Sequence, residues 1–493
     1  MKNTTLVMIF VTTIFAANAQ NTESISLGKK VTIHSNALKE DRRVWIYDPA
    51  LTSMGPLVNK QYPVVYVLDG EAHFLSTVGI IQQLSQANGN SILPEMMVVG
   101  IENTDRSRDL VPSPANSADE GKVNPFMNFL QEELMPFVAK NYHTAPYNIL
   151  VGHSLGGLTA IDILANSPEL FNAYIAIDPS MWYDDGKYLN RSISRIRGKG
   201  LQGRRLFIGA ANTMPKGMTL AGLGKDRSAE TVHLRSIFKL NDFLKGNSGT
   251  ALKYRLKYYE HESHVSVPLM SEYDGLRFIF DYYMMDITER DLLDSTADIA
   301  VKYRRHYDMI SNEMGYKNAA PEAFIKYLGF EALAKKQFDR AEALLRLNVE
   351  NYPGSSSAFE SYGDFSMAKH DSVNAVVYYK KALAIGNDAA IQHKLEAIMD
   401  PGKFTLSSVD LRKYTGVYVL EKFNVEVELG VRGNGLWAVV KGQADDALEP
   451  LSQDVFSVRN KQGYTVTFKM DGNRAVAFTS VQPNGTFNAS LKK

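Results

Sequence analysis

The segment Gly152-His153-Ser154-Leu155-Gly156-Gly157 sets a serine between glycines at minus two and plus two. An apolar run, Tyr147–Val151, reads as a strand leading into it, and Leu155–Ala165 reads as a helix leading away. That is the setting G-x-S-x-G requires, a sharp strand-to-helix turn that lifts the hydroxyl above a sheet edge. The glycines let neighbouring backbone pass without a Cβ clash. The helix N-terminus supplies positive potential where a carbonyl oxygen would become an oxyanion.

A serine hydroxyl is a weak nucleophile and needs a base. His264 is the candidate, because it follows the strand expected at Tyr254–Tyr259, where this architecture places the base. His261 is nearer that strand and less well placed, and His233, inside a helical stretch, reads as a surface or packing residue. The acid is expected after the strand Arg205–Ile208, yet Ala210-Ala211-Asn212-Thr213-Met214-Pro215 holds no carboxylate. The first one downstream is Asp226, followed by Glu230. Asp226 is favoured as a loop residue, against a bland role as helix cap or surface charge. A Ser–His dyad oriented by a backbone carbonyl or by Asn212 is the alternative. For the oxyanion, one N–H should come from Leu155 and a second from the loop Asp69-Gly70-Glu71, at Gly70 or Glu71.

This chemistry needs no cofactor. The ten histidines include no H-E-x-x-H or comparable ligand spacing, and cysteine is absent, so no metal is expected and no disulfide frame can form. Lys plus Arg and Asp plus Glu each number 54, which leaves no net field to recruit nucleic acid or an anionic membrane. Residues 1–19 read as a cleaved export signal: Lys2, an apolar stretch Leu6–Ala17, then Ala17-Asn18-Ala19. No later segment holds 18 consecutive apolar residues, so no further membrane span is expected. The expected location is periplasmic or extracellular.

Three bodies should follow the signal. Residues 29–286 alternate strands with helices, the order of an α/β domain with a mostly parallel sheet. Residues 287–399 read as helical. There Gly329 aligns with Gly363, Ala341 with Ala375 and Leu345 with Tyr379, an offset of 34 that marks tetratricopeptide-like repeats. Such repeats bury their apolar faces by stacking, so the stretch Ile287–Met314 should cap them or lean them on the first domain. Residues 406–493 show short strands from Tyr414 to Val481 separated by turns such as Arg432-Gly433-Asn434-Gly435, the pattern of a small antiparallel barrel or sandwich. This last segment resembles the β domain appended to serine β-lactamase-like hydrolases, through Leu411-x-x-Tyr414-x-Gly416-x-Tyr418, Leu448-x-Pro450 and Phe456.

Residues 30–285 resemble the α/β-hydrolase esterase family that includes siderophore esterases, S-formylglutathione hydrolases and feruloyl esterases. The matching features are Tyr66-Val67-Leu68-Asp69-Gly70, Gly100–Asp109, Gly152–Gly157, Asp178-Pro179-Ser180-Met181-Trp182 and His264. The siderophore-esterase branch is the nearest in character. The resemblance implies Ser154 and His264 as catalytic residues with a weak or displaced acid, and places Arg106, Arg108 and Trp182 around the substrate cleft. The function expected is hydrolysis of a carboxylic ester, siderophore-type or plant-polymer, through an acyl-enzyme on Ser154. The partners expected are a small-molecule or oligosaccharide-linked ester and a protein bound by the helical repeats. Two alternatives share these features: a non-catalytic scaffold working through the repeats, and a serine peptidase or thioesterase.

Overall fold

A computed structural model describes residues 26–51, 60–87, 90–112, 124–246, 249, 251–294, 298–399 and 406–492. The expected export signal at 1–19 lies outside them. The first body is an eight-stranded sheet: β1 (Lys29–Ser35), β2 (Glu40–Tyr47), β3 (Tyr62–Leu68), β4 (Met97–Ile101), β5 (Thr144–His153), β6 (Ala173–Ile177), β7 (Arg205–Ala211) and β8 (Lys253–Tyr259). Their spatial order is β1-β2-β4-β3-β5-β6-β7-β8. From β4 to β8 neighbouring strands are parallel, while β1 and β2 form an antiparallel hairpin along β4. Every residue of β3, β6 and β7 is buried, because helices cover both faces of the parallel sheet. The edge strand β8 alternates exposed with part-buried side chains instead. Two apolar clusters result, one on each face.

The topology aims the chemistry. All parallel strands end at one edge, and that edge carries Asp69 after β3, Ser154 after β5, Asp178 after β6 and the loop with His264 after β8. In open α/β sheets such an edge is where ligands bind.

The helical region contains two hairpins, Glu322–Ala334 with Phe338–Asn351 and Ser356–Ala368 with Ser372–Ile385. The second begins 34 residues after the first at both of its helices (322 to 356, 338 to 372). Glycine permits each close crossing: a Cβ on Gly329 would meet Leu345 Cδ2 at 2.6 Å, and one on Gly363 would meet Tyr379 Cε1 at 2.5 Å. The preceding helix, Ile299–Met314, joins the two bodies. Its Ile310 and Met314 belong to the apolar cluster of the sheet, whereas Ile299 and Tyr303 pack with Leu344 and Leu347 of the hairpins. Glu313 adds ion pairs to Arg205 at 2.9 Å and Lys253 at 2.7 Å.

The C-terminal segment is a closed antiparallel barrel of eight strands, β9 (Gly416–Leu420), β10 (Val425–Arg432), β11 (Gly435–Val440), β12 (Asp446–Pro450), β13 (Val455–Val458), β14 (Lys461–Asp471), β15 (Arg474–Gln482) and β16 (Gly485–Leu491). Closure removes the exposed strand edges. Its centre is aromatic, with Tyr414, Tyr418, Phe456, Phe468 and Phe478 in edge or tilted contact.

The hairpin crossing yields a test. Tyr379 cannot yield easily, since it is buried and its hydroxyl donates to Asp364 at 2.7 Å. Gly363→Ala should therefore cost about 1–3 kcal/mol of overpacking, more than the ~1 kcal/mol gained from helix propensity. Gly354→Ala, with no atom within 4 Å of its new Cβ, should leave the unfolding midpoint of the full chain unchanged or slightly raised. Equal midpoints for the two variants would contradict the packing argument.

Candidate active site

Ser154 is the single residue between β5 and the helix Leu155–Asn166, and its φ of 58° and ψ of −111° lie in a region that side chains rarely occupy. Hydrogen bonds hold it there. Its N–H donates to Ile177 O at 2.9 Å, and its carbonyl accepts from Ser180 N at 3.1 Å and Leu158 N at 3.0 Å. The flanking glycines have steric causes. A Cβ on Gly152 would lie 2.2 Å from Gly156 O, and one on Gly157 would lie 3.0 Å from both Ile177 O and Pro179 Cα.

His264 meets this serine. Its Nε2 is 3.1 Å from Ser154 Oγ, and its Nδ1 is 2.6 Å from Asp178 Oδ2. An ionised carboxylate only accepts, so Nδ1 carries the proton and Nε2 presents its lone pair to the hydroxyl. Asp178 follows β6 directly, with φ 40°, and is fully buried. Its Oδ1 accepts from Ala211 N at 2.9 Å, and its Oδ2 also accepts from His233 Nε2 at 2.9 Å. Burial pushes this carboxyl up. The His233 and His264 donors and the Ala211 N–H outweigh that and hold it well below the usual carboxylate range.

The carboxylate that meets His264 is thus Asp178 and not Asp226, which corrects the expectation from sequence. Asp226 folds back on its own turn, where its carboxylate accepts from Ser228 N at 3.0 Å, Ser228 Oγ at 2.6 Å and the Thr231 hydroxyl. Glu230 is exposed in the short 3-10 turn Ala229–Thr231. Asn212 braces the base's loop from outside, its N–H to Glu262 O at 2.8 Å and its Nδ2 to Glu260 O at 3.0 Å. His261 is exposed in that loop. His233 is not a mere surface or packing residue, because it binds the acid. Ser180, named above only as part of the segment Asp178–Trp182, also comes close, its Oγ 3.2 Å from Ser154 Oγ.

The expected oxyanion donors sit at two helix starts. Leu155 opens one helix and Gly70 and Glu71 open another, Gly70–Ser85, and first-turn N–H groups lack intrahelical acceptors. Gly70 must be glycine, since a Cβ there would lie 2.5 Å from Gly100 C and Ile101 N. The two starts are close, because a Cβ on Gly156 would lie 3.3 Å from Asp69 Oδ2.

The two arginines expected in the substrate cleft are engaged by protein. Arg106 clamps Asp69, with Nε to Oδ1 at 2.6 Å and Nη2 to Oδ2 at 3.0 Å, and Nη2 also reaches His153 O at 3.3 Å. Arg108 binds Glu40 at 2.7 and 3.0 Å and Asp109 at 2.7 Å. Trp182, on the loop that carries Asp178 and Ser180, is 44% exposed.

A second layer of histidines backs the site. His153 Nε2 donates to His264 O at 2.8 Å, and burial lowers its pKa to about 4, so it is neutral at ordinary pH. Its ring meets His73 edge-on at 5.6 Å, and His73 Nδ1 lies 3.6 Å from Glu272 Oε1. Glu272 is fully buried and accepts from Ser76 at 2.9 Å and Thr77 at 3.2 Å. Burial lifts its pKa to about 8 and lowers that of His73, so both are neutral near pH 7 and their contact is not an ion pair. Asp178, His233 and His264 also form a group whose ligand-type atoms lie within 4.8 Å of one another. The hydrogen bonds described above already use those atoms.

A parallel sheet with a strained serine after its central strand, joined to a histidine and a buried aspartate, is the arrangement of α/β-hydrolases. Residues 35–207 match the esterase family model described as "Putative esterase". An IroE-like serine hydrolase from Shewanella oneidensis is 28% identical, with 65% of this chain and 98% of that one covered at a TM-score of 0.53. An uncharacterised protein from Capnocytophaga ochracea, 15% identical, shares the fold over 76% of this chain and 99% of its own at a TM-score of 0.51. The siderophore enterobactin esterase of Emericella nidulans is 29% identical over 178 residues, 32% of this chain and 57% of that protein. The ferri-bacillibactin esterase BesA of Bacillus subtilis is 28% identical over 142 residues, 25% of this chain and 49% of that protein. The chain thus spans about half the length of these curated relatives.

Glu272 provides a pH test. Its folded pKa of about 8 exceeds the ordinary 4.5, so between those values the folded state binds the extra proton. Stability must then fall as pH rises through that window, by up to a few kcal/mol at ~1.4 kcal/mol per unit. Glu272→Gln removes the ionisation and should flatten the loss. Urea unfolding between about pH 5 and pH 8 measures it, and equal slopes for the two proteins would contradict the assignment.

Proposed function

We propose that the protein is a serine ester hydrolase in which Ser154 is the nucleophile, His264 the general base and Asp178 its acid. One observation carries the reading: His264 stands 3.1 Å from the serine hydroxyl and 2.6 Å from a buried carboxylate at its other nitrogen. In that tautomer Nε2 removes the hydroxyl proton as Oγ attacks the ester carbonyl. The Leu155 N–H and one from Gly70 or Glu71 receive the oxyanion, and Asp178 stabilises the imidazolium. His264 then protonates the leaving alkoxide, and water, activated in the same way, releases the acyl group from Ser154. No step requires a cofactor.

The names of the curated relatives support a siderophore-type ester as substrate, with a plant-polymer acyl ester as the other substrate of the same chemistry. Trp182, on the acid's own loop and 44% exposed, offers an aromatic surface for such a substrate. Arg106 and Arg108, engaged elsewhere, shape the cleft instead of binding the substrate's charge. The 34-residue offset of the hairpins supports reading them as tetratricopeptide-like repeats, and the pattern of residues 1–19 supports export.

Hydrolysis of a p-nitrophenyl ester tests the proposal. Ser154→Ala should abolish turnover with an unchanged melt, and Asp178→Asn should lower kcat by roughly 10³–10⁴, the scale of a lost triad acid. Asp226→Asn should change little. Full activity in Ser154→Ala, or equal losses for the two aspartates, would overturn the assignment.

A further inference from the structure

We infer that His233 is a positioning residue for the acid: it shares Asp178 Oδ2 with His264 and so sets both the aim and the strength of the base, an inference that rests on the hydrolase reading above. His233 is the second residue of the helix Val232–Gly246, so its backbone moves with that helix and not with the base's loop. Oδ2 receives His264 Nδ1 at 2.6 Å and His233 Nε2 at 2.9 Å, while Oδ1 receives Ala211 N–H at 2.9 Å. The acceptor has no proton to give, so His233 carries its hydrogen on Nε2. The two rings stand perpendicular, with centroids 5.4 Å apart, and meet through the shared oxygen without stacking.

Two consequences follow. The carboxylate is gripped at both oxygens without help from His264, so the base can tilt between serine and leaving group while its acid stays aimed. The second donor also draws on the charge of Oδ2, leaving less to stabilise an imidazolium at His264. The base therefore surrenders its proton to the alkoxide more readily. Other groups face His264 as well: His153 donates to its carbonyl, Arg106 touches His153 O, and Glu260 and Glu262 flank it in its own loop. All of these persist when only residue 233 is changed.

The test uses the full chain with His233→Phe and His233→Gln. In His233→Phe, kcat should fall about tenfold with KM little changed, the scale of one hydrogen bond to a charged group, and the acid limb of kcat/KM should move to higher pH. The far-downfield proton resonance of the His264 Nδ1–H should move further downfield, because Oδ2 then serves one donor. His233→Gln, which retains an amide N–H, should return both readouts toward wild type. A purely structural role would lower the melting temperature of both variants and leave limb and resonance in place; that result overturns the inference. If wild type cleaves no ester the hydrolase reading fails, and the resonance comparison still decides the role of His233.

Discussion

A carboxylate with no exposed surface must be fully satisfied or it will not stay charged, and Asp178 meets that condition with three N–H donors from three parts of the fold. Ala211 belongs to β7, His233 to the helix Val232–Gly246, and His264 to the loop after β8. Each donor is supplied by the packing of a different element, so the ionised acid is a product of the whole sheet edge. Burying such a charge alone would shift its pKa upward until it took a proton. With the donors present, the charge remains and fixes which nitrogen of His264 faces the serine.

Around that centre, polar contacts tie together loops that sequence keeps far apart. Asp69, itself at φ 55°, accepts from Arg106 and Asn103, and Arg106 continues to His153 O. The His153 ring then donates to the carbonyl of His264. The loop that opens the Gly70 helix, the serine elbow and the base are thereby linked in one hydrogen-bonded series. Reaction by charge stabilisation needs donors already in place before charge develops, and this bracing holds the helix starts at Leu155 and Gly70 still.

What could be read from the sequence follows the range of the constraint. The turn at Ser154 was legible because the elbow is local: the chain folds back so tightly that a Cβ on Gly152 would lie 2.2 Å from Gly156 O. His264 was legible from its place after the last strand. Asp178 was not, although it stands in the segment Asp178–Trp182, because the fold's pattern points to an acid one strand later and its partner lies 86 residues away. Arg106 and Arg108 look free in the sequence, yet their carboxylates, Asp69 and Glu40, come from 37 and 68 positions upstream. The hairpins were visible through their period, since each repeats one local packing problem. In the barrel, β12 (Asp446–Pro450) and β16 (Gly485–Leu491) carry few β-branched residues, and closure by neighbouring strands, not local preference, makes them strands.

The central claim is that Ser154 is made nucleophilic by a base aimed by Asp178. A fluorophosphonate, which reacts preferentially with an activated serine hydroxyl, measures that without any assumption about the natural substrate. The account predicts a single adduct by intact mass, mapped to Ser154, with a labelling rate that falls at least about a hundredfold in Asp178→Ala and is unchanged in Asp226→Ala. No adduct on the folded wild-type protein, or an adduct at another residue, would contradict it.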